Sequence, residues 1–349
     1  MSTPLRVGVI GVGMMGADHA NRLANRIAGA QLTVVSDPRA DQATAVAQQY
    51  GARAEADPLR LIAADDVDAV LIASPGVAHP EQLLACIAAG KPTLCEKPMT
   101  MDSESSIAVL RAEAAAAEPV LQIGFMRRFD PGYVELKALL DSGELGRLLL
   151  LHNVHRNKQV PNPDFRSEMI VRDSLVHEVD VARFLFDEEI TAIQVLSPAP
   201  SSLAGAGVID PQVAIFTMAG GGMVTSEVFC NSQTGYEVRC EAVAERGSVI
   251  AGQPWNTLYR TTVDSVAGAG GTGGSVGRWG GRLPDDFTQR FARAYDIEVQ
   301  AWVDAARRGE RIGPSAWDGY AATAVCTAGM QSLVSGERVA VDLIAPPGA

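Results

Sequence analysis

The chain has 349 residues, more than one compact core usually holds, so two domains are expected. Its 47% hydrophobic and 20% charged residues suit a soluble globular protein, and a net charge of −12 argues against nucleic-acid or anionic-membrane partners, whose phosphates need a basic surface. Five dispersed cysteines without a C-x-x-C pair read as buried thiols in a reducing compartment, and no apolar run reaches the ~18 residues of a membrane span. The start, "MSTPLRVGVIGVG", lacks a signal peptide's order of segments, so the expected location is the cytoplasm.

Strands and helices alternate through the first third. Strands are predicted at 5–11, 31–37, 67–74, 91–97 and 119–125, with helices at 14–27, 39–50, 78–89 and 102–117 between them. This alternation is the signature of a doubly wound parallel sheet, an α/β domain over 1–125. The pattern then changes. A helix at 131–141, a long strand at 146–157 and a helix at 174–186 are followed by strands at 191–198, 211–218, 222–230, 236–244 and 247–252. Strands joined by short turns predict an α+β domain on a mostly antiparallel open sheet, spanning 126–349. Near the end, Phe287, Phe291 and Tyr295 recur at helical spacing, a stripe suited to packing on that sheet. The closing helices could instead return to the first domain. The stretch 267–281 holds eight glycines and is expected to be mobile.

Gly11, Gly13 and Gly16 form G-x-G-x-x-G between a predicted strand and a predicted helix, and Asp37 ends the next strand. That context predicts a dinucleotide site. The glycines permit a tight turn, close approach of the pyrophosphate and close helix packing, with the anion on the helix N-terminus. Asp37 can accept bonds from the ribose hydroxyls and repel a 2′-phosphate, which favours NAD over NADP. Arg39, two residues on, could hold such a phosphate instead. Lys97, in "CEKP", ends a strand of the same sheet, where ligands of such sheets bind.

A second constellation lies in "VRDSLVHEVD". Asp173 and His177 are spaced i, i+4, which on a helix puts them on one face. A histidine so placed can take a hydroxyl proton, and a carboxylate can steady the imidazolium. The alternative is a surface ion pair. His152 and His155 point to opposite faces of their strand, so only one can face a site. No histidine or cysteine spacing suggests a metal.

The glycine motif, "CEKP" and "DSLVHEVD", in this order across nearly the whole chain, resemble the Gfo/Idh/MocA oxidoreductase family, which oxidises or reduces sugars and polyols at one carbon. "QIGFMRRFDPGY" is similar to the inositol 2-dehydrogenases of that family, which convert myo-inositol to 2-keto-myo-inositol with NAD. The resemblance implies a Rossmann cofactor domain and a homo-oligomer, a tetramer. It implies catalytic roles for Lys97, Asp173 and His177, the histidine as general base. For the polyol it implies Lys97, Met126, Arg127, His155, Asp173, His177 and Tyr236. The expected cofactor set is Gly11, Gly13, Met14, Met15, Gly16, Asp37, Arg39, Ser74, His79, Glu96 and Lys97. Two features depart from the family pattern: "MIVRD", where glycines often precede the aspartate, and the glycine-rich 267–281. The rival readings are a dehydrogenase of another sugar or inositol isomer, and an NAD-binding regulator without turnover.

Overall fold

The computed structural model describes residues 3–160, 162–252, 259–262, 266–268 and 283–346. Most of the glycine-rich 267–281 stretch therefore lies outside the described residues. Two units form. One comprises Met1–Met126, Arg293–Thr323 and Ile344–Ala349; the other comprises Arg127–Ala292 and Ala324–Leu343.

The first unit is built on six strands: β1 (Leu5–Ile10), β2 (Ala30–Ser36), β3 (Arg53–Glu55), β4 (Ala69–Ile72), β5 (Thr93–Glu96) and β6 (Leu121–Gly124). They pair in the order β3-β2-β1-β4-β5-β6, all parallel. Crossovers run through α1 (Met14–Asn25), α2 (Ala40–Tyr50), α3 (Pro58–Ala63), α4 (His79–Ala89) and α5 (Ser103–Ala115). The chain order reverses between β1 and β4, so the loops after them flank the switch point where such sheets bind ligands. Every residue of β4, β5 and β6 is buried, as strands covered on both faces require. The sequence does not predict the edge strand β3, whose "RAE" has no apolar run, or the helix α3, which is only six residues long. Strand β5 stops at Glu96, one residue short of the predicted end, so Lys97 lies just beyond the ladder.

One face of this sheet is closed by residues from far along the chain. Val299, Trp302 and Val303 join Val7, Val9, Leu23, Val35 and Leu71 in one buried cluster. The helix that carries them, Ala292–Arg307, is fastened by Asp296, which accepts from Arg22 Nε at 2.9 Å.

The second unit carries α6 (Pro131–Asp141), β7 (Leu148–Arg156), α7 (Ser167–Met169), a π-turn over Ile170–Ser174 and α8 (Val176–Phe186). The strands β8 (Ile190–Leu196), β9 (Gln212–Met218), β10 (Met223–Phe229), β11 (Glu237–Ala244), β12 (Gly247–Ala251), β13 (Tyr259–Thr262) and β14 (Val266–Gly268) follow. With β15 (Val339–Ala340) they form a nine-stranded sheet ordered β14-β13-β12-β11-β7-β10-β9-β8-β15. All pairs are antiparallel except β7 with β10, where Thr225 lies opposite His152. Alternate burial along β9 and β11 shows that only one face is fully covered.

The predicted Phe287–Phe291–Tyr295 stripe does not lie on one helix. The short α9 (Phe287–Arg290) ends at Phe291, and α10 (Ala292–Arg307) restarts. Phe287 and Phe291 pack edge-on against Tyr236 in the second unit, while Tyr295 packs against His19 in the first. The chain changes unit inside the stripe, which local periodicity cannot reveal. The last helix is α11 (Ala316–Ser335). No helix among the described residues is long and apolar enough to cross a membrane. All five cysteines are buried and unbridged.

Candidate active site

The first unit's site begins at the β1–α1 turn. Gly11 has φ +81°, and a Cβ there would lie 2.5 Å from the Ser74 backbone nitrogen. A Cβ at Gly16 would strike the Gly11 carbonyl oxygen at 1.7 Å. Both positions therefore exclude any side chain. Gly13 differs: a Cβ there would meet only an Arg39 nitrogen at 4.0 Å. Open space over Gly13, beside the N-terminus of α1, is the room a pyrophosphate needs, so these residues fit a dinucleotide. Met14 stands exposed at the first turn of α1, and Met15 is half-buried.

Asp37 is 5% exposed at the end of β2. Its carboxylate accepts from the backbone N–H of Val12 and of Arg39, both at 2.9 Å, and from Arg39 Nε at 3.1 Å. Burial alone would raise its pKa. The Arg39 guanidinium and the two backbone donors outweigh burial and hold it below the usual carboxylate range. An ionised Asp37 is thus locked to the glycine turn, and Arg39 is turned toward that carboxylate.

Glu96 and Lys97 close the other side of the switch point. Glu96 Oε1 lies 2.8 Å from His19 Nε2, and Glu96 Oε2 accepts from the Lys97 backbone N–H at 3.3 Å. The Lys97–Pro98 peptide is cis. Ser74 is half-buried after β4, and its hydroxyl donates to Gln82 at 2.7 Å. His79, expected near the cofactor, is 1% exposed, and both its ring nitrogens face backbone carbonyls. Met126, from the presumed polyol set, is also buried, at the end of this unit's first segment.

The second unit gathers Arg127, His155, His177 and Tyr236 with one residue the sequence did not single out, Glu178. Arg127 and Glu178 form a fully buried ion pair. His155 Nδ1 lies 3.2 Å from Glu178 Oε2 and 3.3 Å from an Arg127 nitrogen. Tyr236 Oη lies 3.5 Å from His155 Nε2, and the His155 and His177 rings are 6.2 Å apart. Burial would raise the Glu178 pKa, but the Arg127 charge and then His155 bring it down to about 2. The ionised carboxylate can only accept and the guanidinium can only donate, so His155 Nδ1 faces one group of each kind. Burial pushes the Tyr236 phenol up to about 12, so it stays protonated beside His155 Nε2.

Asp173 lies on the π-turn and His177 on α8, so the predicted single helical face is interrupted between them. Turns of this kind recur at functional sites. Arg172 grips Asp173 through two bonds of 2.8 and 2.9 Å. Neighbouring arginines also face carboxylates: Arg128 meets Asp180 at 2.7 Å, and Arg290 meets Asp130 through one nitrogen at 2.9 Å. The cluster is rich in donors and acceptors, and its cations are balanced by carboxylates.

Residues 5–125 match a model described as an oxidoreductase family with an NAD-binding Rossmann fold (GFO_IDH_MocA), and residues 133–250 match the Gfo/Idh/MocA C-terminal domain. Inositol 2-dehydrogenase 1 of Mycolicibacterium vanbaalenii is 52% identical over 352 residues, covering 98% of each chain. The inositol 2-dehydrogenase of Rhodococcus erythropolis is 50% identical over 349 residues, covering 98% of this chain and 96% of its own. Among solved structures, myo-inositol dehydrogenase from Lactobacillus casei with NAD(H) and myo-inositol is similar at a TM-score of 0.89 and 32% identity, covering 99% of both chains.

Proposed function

Because the chain belongs to the Gfo/Idh/MocA oxidoreductase family and is an NAD-dependent oxidoreductase, we propose that it oxidises myo-inositol to 2-keto-myo-inositol. The observation that carries this reading is the buried Arg127–Glu178 pair beside His155 and Tyr236. An arginine already neutralised is a poor clamp for a phosphate or carboxylate. It suits a neutral ring of hydroxyls, each needing a hydrogen-bond partner. The roughly 50% identity to inositol 2-dehydrogenases supports the same substrate class.

Bound NAD supplies the hydride acceptor, held by the glycine turn and Asp37. His177 takes the proton of the reacting hydroxyl. Lys97 donates to the oxygen as it gains charge, a gain larger in the transition state than in the ground state. Asp173 steadies the imidazolium. Arg127, His155 and Tyr236 read the remaining hydroxyls. In this reading the first unit carries the cofactor and the second carries the polyol and the subunit contacts of a homotetramer in the cytoplasm.

NADH formation against a panel of cyclitols and sugars, with NADP in parallel, is the test. Turnover of myo-inositol with NAD above all others supports the reading. Preference for an aldose or another inositol isomer overturns the substrate, and no turnover of any alcohol overturns the activity. Light scattering on eluting protein tests the tetramer.

A further inference from the structure

The ring of His79 opens α4 and lies between two backbone carbonyls. Nδ1 is 2.9 Å from the Pro98 oxygen, and Nε2 is 2.8 Å from the Ser74 oxygen. These carbonyls belong to the loops after β5 and β4. Cys95 Sγ lies 3.4 Å from Nδ1 and 3.3 Å from the Glu96 carbonyl oxygen. We propose that His79 is a positioning residue for Lys97: with Cys95 it holds the two carbonyls that flank the lysine, those of Glu96 and Pro98. The inference rests on the role given to Lys97 above.

Proton counting supports it. Burial lowers the His79 pKa, and a place in the first turn of a helix also disfavours a cation, so the ring is neutral at working pH. A neutral ring has one N–H for two carbonyls. With the proton on Nδ1, His79 donates to Pro98 and the Cys95 thiol remains available to Glu96. With the proton on Nε2, His79 donates to Ser74 and loses its bond to Pro98, and the thiol can serve Nδ1 only by leaving Glu96. Only the first arrangement serves both neighbours of Lys97, and its cost falls on Ser74. The groups facing the ring are Cys95 and Glu96 on β5 and the carbonyls of Ser74, Pro98 and Met99.

Two isosteres separate the nitrogens. An asparagine amide nitrogen falls near the place of Nδ1, and a glutamine amide nitrogen near that of Nε2. His79→Asn should keep the Pro98 bond, and His79→Gln should keep the Ser74 bond. Both variants are measured for melting temperature, NAD affinity, saturated turnover with whichever cyclitol the wild type oxidises best, and hydrogen exchange over 97–101 in cofactor-free protein. The Gln variant should exchange faster over 97–101 and lose turnover by about tenfold to a hundredfold at unchanged NAD affinity, the size of a misplacement effect. The Asn variant should keep wild-type exchange and most of the turnover, though both melt lower. Equal exchange in the two variants, or loss in Asn alone, overturns the inference. A wild type that oxidises no cyclitol overturns the functional reading instead, and exchange still decides the role of His79.

Discussion

Glu178→Gln tests the buried ion pair most directly. Glu178 is fully buried, and its pKa falls from an ordinary 4.5 to about 2. A carboxylate depressed in the folded state stabilises fully above its unfolded pKa, and the gain drains away as pH falls from 4.5 toward 2. The depression corresponds to about 3 kcal/mol at neutral pH. Glutamine keeps the shape but leaves Arg127 buried beside a neutral amide, a loss of about 3–5 kcal/mol. Urea unfolding followed by circular dichroism should show that gap at pH 7. At pH 3 the wild type has lost roughly 2 kcal/mol of the contribution, so the gap should narrow by that amount. Hydrogen exchange across Val176–Phe186 locates the effect in the second unit. Replacing both partners, Arg127→Met with Glu178→Leu, should recover much of the stability, since no charge is then stranded. A gap below about 1 kcal/mol at pH 7, or one that is the same at pH 3, would refute the reasoning.

Asp37 should set cofactor choice: NAD is preferred at least about tenfold, roughly 1.4 kcal/mol, and Asp37→Ala narrows the ratio in parallel assays. Equal turnover of the wild type with NADP would hand the pocket to Arg39. Lys97→Ala should cut saturated turnover by about 10²–10³ while NAD affinity, from fluorescence titration, barely moves. An intact turnover with weakened NAD binding would make the lysine a cofactor anchor. His177→Ala should also slow turnover but recover part of it at high pH, where hydroxide replaces the base; a flat pH profile of the residual rate would deny His177 that role.

What could be read from the sequence was what is local in it. Gly11, Gly13, Gly16 and Asp37 were legible because turn chemistry and strand–helix alternation are written in consecutive residues. Glu178 was not, although it follows His177 directly. Its partners Arg127 and His155 stand 51 and 23 residues away, and only the fold brings them to it. The same limit hid the parallel pairing of β7 with β10, since strand sequences carry no register. Asp173 and His177 were read on an α-helical period, and the π-turn at Ile170–Ser174 breaks that period between them. The lone histidine at the start of α4 gave no hint that both its nitrogens would meet backbone carbonyls.

The placement of Val299, Trp302 and Val303 in the core of the first unit bears on how the chain is made. The strands β1 to β6 leave the ribosome first, ending at Gly124, whereas the helix that seals one of their faces begins only at Ala292. Throughout synthesis of the second unit, Val7, Val9, Leu23 and Leu71 lack the cover that Val299, Trp302 and Val303 supply. A nascent chain in this state is exposed to misassociation, and a chain ending before Val303 is expected to aggregate more readily than the complete one.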